Sequence, residues 1–331
     1  MASYGFHPIA LGKDSPVTAY DIIVLGDYFY DLIYTGLTEF PELGREVMST
    51  DVTTTGGAMY ITAVSLSRLG ARVGWPAYFG DDFYSRSVYD FAVQEGVDLS
   101  LARHVARPYR RVTTALPLHG ERAFATYVDP EADDLYAHWQ QALEACDFRH
   151  LHVGGLDCVD KMQPLVDIAR QRGATVSFDC QDGPHLDNPA MCMEWASLAD
   201  IFMPNAREAK IVAEAPTVEA ALDRLVERVG LVVVKDGAHG SWAARGDERA
   251  HADSIQAGEV VDTTGAGDCF NAGFLYGYVV EQQPLERCLR YGNICGGLSV
   301  TGVGGATTAP RHDELRAWLS CTEQPKAASN E

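Results

Sequence analysis

Val260-Val-Asp262-Thr-Thr-Gly265-Ala-Gly267-Asp268-Cys-Phe270 runs directly into Asn271-Ala-Gly-Phe-Leu-Tyr-Gly-Tyr278, and the whole stretch reads as a strand, a glycine-rich turn and a helix. The turn places three successive N–H groups, those of Ala266, Gly267 and Asp268, at a helix start, where they and the helix dipole can hold an anion. Small residues permit that close approach. Asp268 is the odd member, because a carboxylate in the first turn favours the helix yet repels a phosphate docking beside it. A general base tolerates that cost. In phosphoryl transfer the protein positions groups and neutralises charge, while a carboxylate takes the proton of the attacking hydroxyl. A helix cap of Asp and Thr with glycines for a tight turn explains Asp262-Thr-Thr-Gly265 equally well, and Gly-Ala-Gly-Asp-x-Phe less well.

Two other glycine motifs fail here. A dinucleotide fingerprint needs a third glycine where Phe270 stands and belongs at the first βα crossing, and no Walker A string occurs anywhere. Upstream, residues 21–26 form an apolar run ending in Gly, which predicts a buried first strand. Residues 31–55 are short, broken and β-rich in their second half. A helix is expected over residues 59–69, closed by Gly70, then a strand over 73–79. A hairpin is expected from 112–118 and 123–128 around His119-Gly120-Glu121. The two β-rich patches, about 32–55 and 112–128, are expected to form one lid. From residue 151 onward apolar strands (151–154, 174–178, 201–203, 231–234) alternate with helical segments, the rhythm of βαβ units. The polar tail 323–331 is expected to fray.

Composition narrows the function. The chain has 331 residues, 47% apolar and 22% charged, enough to bury roughly 75% of its unfolded surface. Its 26 basic against 46 acidic side chains give a formal charge of −20, which argues against a non-specific nucleic-acid binder or a binder of anionic membranes. A substrate phosphate must then be met by a local device such as backbone N–H groups. No apolar run approaches the ~18 residues of a membrane span, and no secretion signal is visible at the N-terminus. The eight cysteines show no C-x-x-C or zinc spacing, and most of them read as reduced core residues of a cytoplasmic protein.

The turn Asp262-Thr-Thr-Gly-Ala-Gly-Asp268 resembles the C-terminal signature of the ribokinase family, also called the PfkB sugar kinases. Gly56-Gly57 opening the helix that ends Arg68-Leu69-Gly70 resembles the N-terminal signature, and Phe79-Gly80-Asp81-Asp82 its G-D-D element. Pro204-Asn205-x-x-Glu208 resembles its N-x-x-E motif, and Val234-Lys235-Asp-Gly237-Ala-x-Gly240 its nucleotide-side loop. These stand in family order over about residues 21–310. The resemblance implies that Asp268 is the base and that the backbone of Gly265, Ala266 and Gly267 forms the anion hole. It implies that Asn205 and Glu208 organise water around Mg²⁺ and phosphate, while Asp31, Gly56 and Gly57 meet the sugar. Lys235, Gly237, Gly240 and Asn293 would line the ATP side, and Asp262 and Thr264 would build a monovalent-cation site, so K⁺ dependence is expected. A capping pair competes for Asn205 and Glu208, an N-cap for Asp262, and a surface position for Lys235.

Two departures bear on the acceptor. Many members have Asn four residues after the second glycine, and this chain has Ile61, whose side chain makes no hydrogen bond; Tyr60 or Thr62 are the alternatives. Asp179-Cys-Gln181 stands where D-P-N is usual. His150-x-His152 reads as a packed or exposed pair rather than a metal site, and Tyr28, Phe29 and Tyr30 as lid or core aromatics able to stack on a base or sugar. The acidic run 129–134 reads as a solvated loop and helix start. The expectation is one kinase domain spanning residues 1–331: a three-layer α/β/α ribokinase-like core with a mainly parallel sheet, plus a small β lid. The leading function is ATP- and Mg²⁺-dependent phosphorylation of a hydroxyl, a primary CH₂OH first, of a small sugar. A nucleoside kinase, or a catalytically weak sugar-binding regulatory protein, are the alternatives. The expected partner is a small-molecule sugar or nucleoside, without nucleic acid or membrane, and a homodimer through the exposed lid edge is allowed.

Overall fold

Ile22, Ile23, Val24 and Leu25 are all fully buried, so the first strand is covered on both faces, as its apolar run requires. The computed structural model describes residues 19–118 and 121–323, so the tip of the hairpin expected at 119–120 and residues 324–331 of the tail lie outside it; Glu323 ends the last helix. The chain leaves β1 (Ala19–Leu25) for β2 (Tyr28–Thr35) and β3 (Asp51–Ala58), then forms α1 (Met59–Arg68), β4 (Val73–Gly74), β5 (Tyr78–Phe79) and α2 (Phe83–Gln94). After β6 (Arg103–His104) comes the hairpin β7 (Arg111–Leu118) and β8 (Glu121–Val128). The second half alternates: α3 (Leu135–Ala145), β9 (Asp147–Val153), α4 (Val159–Gln171), β10 (Thr175–Phe178), α5 (Pro189–Ala196), β11 (Ile201–Phe202), α6 (Ala206–Val212), α7 (Val218–Leu225) and β12 (Leu231–Lys235). It closes with β13 (Ser241–Arg245), β14 (Glu248–Ala252), α8 (Ala266–Leu275), α9 (Leu285–Ser299) and α10 (His312–Glu323).

The large sheet has eight strands in the order β14-β13-β12-β11-β10-β9-β1-β4. It is parallel from β12 to β4, and β13 and β14 add an antiparallel edge. Ile22 and Val24 face a core shared with α1, α8 and α9, while Ile23 and Leu25 face the core under α3, α4, α6 and α7, which makes three layers. Helices α8 and α9 meet closely enough that a β-carbon on Gly273 would stand 2.6 Å from the Tyr291 carbonyl oxygen. A second, four-stranded sheet, β3-β2-β7-β8, is built from the two β-rich patches. In it Asp31 pairs with Thr55 and Thr113, and Phe29 with Gly57, so these residues share one face. Helix α2 packs the other face through Tyr30, whose ring lies 6.3 Å from that of Phe91.

Three expectations need correction, and one hairpin is added to them. Residues 73–79 are two short strands in different sheets, because Pro76 lacks the N–H a continuous ladder requires. Residues 260–265 form no strand: Val260 and Val261 are exposed, and the Val261 and Asp262 N–H groups both donate to the Val300 carbonyl. The β13–β14 hairpin was not anticipated, although Gly246 at φ 56 between Arg245 and Glu248 is its turn signal. Asp129, the start of the acidic run, is buried rather than solvated, and Arg110 beside it holds its carboxyl well below the usual range. His150 and His152 are fully buried and share the Ser177 hydroxyl at 2.7 Å, so they pack as a neutral pair, with burial pushing both imidazoles down.

Candidate active site

Helix α8 begins where Gly265 adopts φ 70, a left-handed conformation open to glycine at little cost. A β-carbon there would also stand 2.5 Å from Ile61 Cδ1 and 2.8 Å from the Gly305 Cα. Ile61 is 1% exposed, so it lies beneath this turn, wedging α1 against it, rather than facing a ligand. Gly265→Ala is therefore expected to cost about 1–3 kcal/mol in backbone strain and, by displacing the helix start, to lower turnover by at least about tenfold. Partial recovery in the Gly265→Ala/Ile61→Ala double variant, read from kcat and thermal midpoint, checks the cause.

Beyond Gly265 the Ala266 N–H leans back to the Thr263 carbonyl at 3.3 Å, which leaves the Gly267 and Asp268 N–H groups, two rather than three, without an acceptor among the described residues. Asp262 organises the approach. Its Oδ1 accepts from the Thr264 N–H at 2.9 Å and the Thr264 hydroxyl at 2.7 Å, and its Oδ2 from the Gly304 N–H at 3.0 Å. The residue ties the turn to the loop after α9, which is a capping role whatever else it does.

A cavity of about 870 Å³ opens beside the turn, a volume suited to a small-molecule ligand. Ala266, Gly267, Asp268, Asn205, Glu208, Lys235, Gly237, Gly240 and Asn293 all border it, so the structure gathers nine candidates from four separate segments. Asn205 and Glu208 form a complete capping box at the start of α6: Glu208 N–H donates to Asn205 Oδ1, Asn205 N–H to Glu208 Oε2, and Asn205 Nδ2 to Glu208 Oε1 at 2.6 Å. The cap and the cavity wall are thus one device. Asn293 spends its amide on the Ala252 and Asp253 carbonyls, at 2.9 and 3.0 Å, which joins α9 to the end of β14.

Asp31 and Gly57 lie opposite, on the smaller sheet. A β-carbon on Gly57 would meet Asp31 Oδ2 at 2.3 Å, so this glycine gives the carboxylate its space. Asp31 is buried and its carboxylate makes no hydrogen bond among the described residues, and its pKa rises to about 7 through burial and then the charge of Asp262. Gly56 turns the other way: a β-carbon there would strike the Tyr60 ring, which borders a separate pocket with Arg68 and Glu95. Tyr60 therefore leaves the site, while Thr62 stays, its hydroxyl donating to Asp268 Oδ1 at 3.4 Å.

Burial drives the electrostatics. Asp268 is raised to about 7, first by desolvation and then by Asp179, while Lys235 and Thr62 pull the other way. Glu208 is also raised to about 7, by burial and then by Asp179. Acids poised near neutrality in one cleft mark a site of chemistry. Among the described residues no group of three or more His, Cys, Asp or Glu side chains forms a metal cage, but the surplus of carboxylates fits a divalent cation carried on phosphate oxygens. Sequence reasoning missed three contributors. Asp179 and Gln181 border the cavity, the latter at φ 57, and were noted only as a departure from D-P-N. Asn271, fully buried, follows Asp268 by one helical step on the same face, a spacing that could have flagged it.

The family described as pfkB family carbohydrate kinase matches residues 19–312. A fructokinase of Klebsiella pneumoniae is 30% identical over 319 residues, covering 90% of this chain and 99% of its own. A 2-dehydro-3-deoxygluconokinase of Bacillus subtilis is 28% identical over 322 residues, covering 91% of this chain and 95% of its own. In fold, a ribokinase II candidate from Escherichia coli, solved in complex with ATP and Mg²⁺, superposes with a TM-score of 0.77 at 24% identity, covering 91% of this chain and 99% of that one.

Proposed function

This chain belongs to the pfkB family of carbohydrate kinases, and from that footing we propose that it transfers the terminal phosphoryl group of ATP to a hydroxyl, a primary CH₂OH first, of a small uncharged sugar or sugar derivative. The observation that carries the reading is Asp268, poised at about pKa 7 in the same helical turn as two N–H groups without acceptors, on the wall of a large cavity. Asp268 takes the proton of the acceptor hydroxyl as its oxygen attacks the terminal phosphorus. The new O–P bond forms as the bond to ADP breaks, and the Gly267 and Asp268 N–H groups receive the charge that gathers on the phosphoryl oxygens. Mg²⁺ supplies charge neutralisation on the phosphates, and Glu208 with Asn205 would hold its water shell. Gly237, Gly240 and Asn293 border the nucleotide, Asp31 and Gly57 the acceptor.

The smaller sheet is the lid, one with the core in a single kinase unit, and its closure excludes the water that would otherwise hydrolyse ATP. Among the described residues its edge strands β3 and β8 pair with no further strand, and they carry the exposed Val52, Tyr127 and Val128, so a second copy is the proposed neighbour there. Among the described residues no helix is long and apolar enough to cross a membrane. One observation favours a nucleoside acceptor instead: Tyr28 and Tyr30 are buried, but Phe29 is half-buried on the face of Asp31, where a base could stack.

The test is ADP release with Mg·ATP and K⁺ across pentoses, hexoses, ketoses, sugar acids and nucleosides. Neutral sugars are expected to turn over, with K⁺ more effective than Na⁺ because the Asp262–Thr264 loop carries the proposed monovalent-cation site. Activity should rise with pH through about 7 as Asp268 ionises. Turnover of nucleosides alone would move the acceptor to the second reading. Binding of a sugar without turnover of any acceptor would make the protein a sensor rather than a kinase.

A further inference from the structure

Lys235, the last residue of β12, is the cationic side chain among the described residues that border the cavity, where Asp179, Glu208, Asp268 and Glu259 are the acidic ones. Its Nζ lies 3.0 Å from both Asp179 carboxylate oxygens and 3.2 Å from Asn271 Oδ1. Asp179 is held in turn by Asn271 Nδ2 at 2.6 Å and by the Cys180 N–H at 2.7 Å. A β-carbon on Gly267 would stand 3.6 Å from the same Nζ, so the ammonium rests against the turn whose N–H groups lack acceptors. A buried Lys–Asp pair that only held the fold would have no reason to lie against a bare helix start on a cavity wall. A polyanion entering beside Asp268 and Glu208 needs a full positive charge there, because two backbone dipoles do not offset two carboxylates.

On the kinase reading above, we propose that Lys235 is a catalytic residue whose ammonium moves its hydrogen bonding from Asp179 onto the transferring phosphoryl group, and that Asp179 and Asn271 are positioning residues that hold it beneath Gly267. The lysine gives up no proton and forms no covalent bond. It meets the charge that develops on the phosphoryl oxygens while the acceptor proton passes to Asp268 and ADP departs. Asp179 remains as the counter-charge that Asn271 and the Cys180 N–H keep hydrogen-bonded once the ammonium turns. Asp268 is faced by Asp179 from the end of β10, Lys235 from β12, Asp31 from the lid and Thr62 from α1, so removal of either member of the pair changes the base in opposite senses.

The experiment titrates Mg·ATP and adenosine separately onto the wild type, Lys235→Met and Lys235→Arg, and measures kcat and KM against pH for these and Asp179→Asn. Lys235→Met is expected to bind adenosine as the wild type does, to bind Mg·ATP at least about tenfold more weakly, and to lose about 10²–10³ in kcat with the acceptor KM little changed. Lys235→Arg should recover most of the Mg·ATP affinity. The acid limb of activity should move to higher pH in Lys235→Met and to lower pH in Asp179→Asn. Lys235→Gln, which keeps a donor for Asp179, carries the test where the methionine variant does not fold. Mg·ATP affinity and kcat within about threefold of wild type in the charge-free variants would overturn the assignment and leave the kinase reading standing. A wild type that turns over no acceptor and binds Mg·ATP no better than adenosine would overturn both.

Discussion

Asp268→Asn is expected to lower kcat by about 10²–10⁴-fold, because an amide keeps the shape of the proposed base but accepts no proton. The loss should fall on kcat and kcat/KM together, with ATP affinity kept or improved, since the substitution removes a negative charge beside the phosphate site. Unfolding can be excluded by sign. The folded-state pKa of Asp268, about 7, lies above its unfolded value, so the ionised carboxylate weakens the fold as pH rises through 7. Asparagine removes that penalty, and at pH 8 the variant should melt no lower than the wild type. Wild-type turnover in Asp268→Asn would sink the mechanism whatever the acceptor.

The second large effect concerns Arg111, which is fully buried where the chain crosses between core and lid. Its Nε lies 2.7 Å from Asp27 Oδ2, its Nη1 donates to the Asp129 carbonyl at 3.1 Å, and its Nη2 to the Tyr109 hydroxyl at 2.7 Å. Asp27 stands just before β2 and Asp129 just after β8, so one guanidinium joins both ends of the lid to the start of β7. Arg111→Ala is expected to cost about 3–5 kcal/mol, because it empties a fully buried guanidinium site and leaves the half-buried Asp27 carboxylate without its cation. The cost should shrink as pH falls. Burial already raises the Asp27 pKa with the arginine present; without it the folded state binds the proton still more tightly than the unfolded chain, and protonation then restores stability. Denaturant unfolding of the variant at pH 7.5 and pH 5 reads this directly, and equal deficits at both would refute the ion pair as the cause.

The βαβ rhythm, both lid patches and the helix after Gly57 were legible because each depends on local pattern: buried runs for parallel strands, alternation for the lid, a glycine stop at Gly70. The turn at Gly265 was legible for the same reason, since its chemistry is contiguous in the chain. What escaped reading was decided by distant partners. Val260 and Val261 look like a strand, but among the described residues no neighbouring strand is offered to them and they run exposed over the end of α9. Asp129 looked solvated because Arg110, which lies across a strand pair, cannot be matched to it by spacing. Ile61 read as a change in the acceptor pocket, yet its contact is with Gly265, more than 200 residues away in sequence. Asp179 and Asn271 meet Lys235 from three different elements, and only the fold brings them together.

Helices α8 and α9 touch with almost no side-chain layer between them, the Tyr291 carbonyl lying where any β-carbon on Gly273 would have to go. Such a contact has no free volume in which to accept new residues, so lineages descending from this chain can hardly experiment on the half that carries the proposed catalytic turn. The lid, whose edge strands pair with nothing further among the described residues, has room to vary. Divergence of substrate preference should therefore accumulate at one end of the molecule while the other is inherited unchanged, with the chemistry conserved by crowding as much as by selection on Asp268 itself.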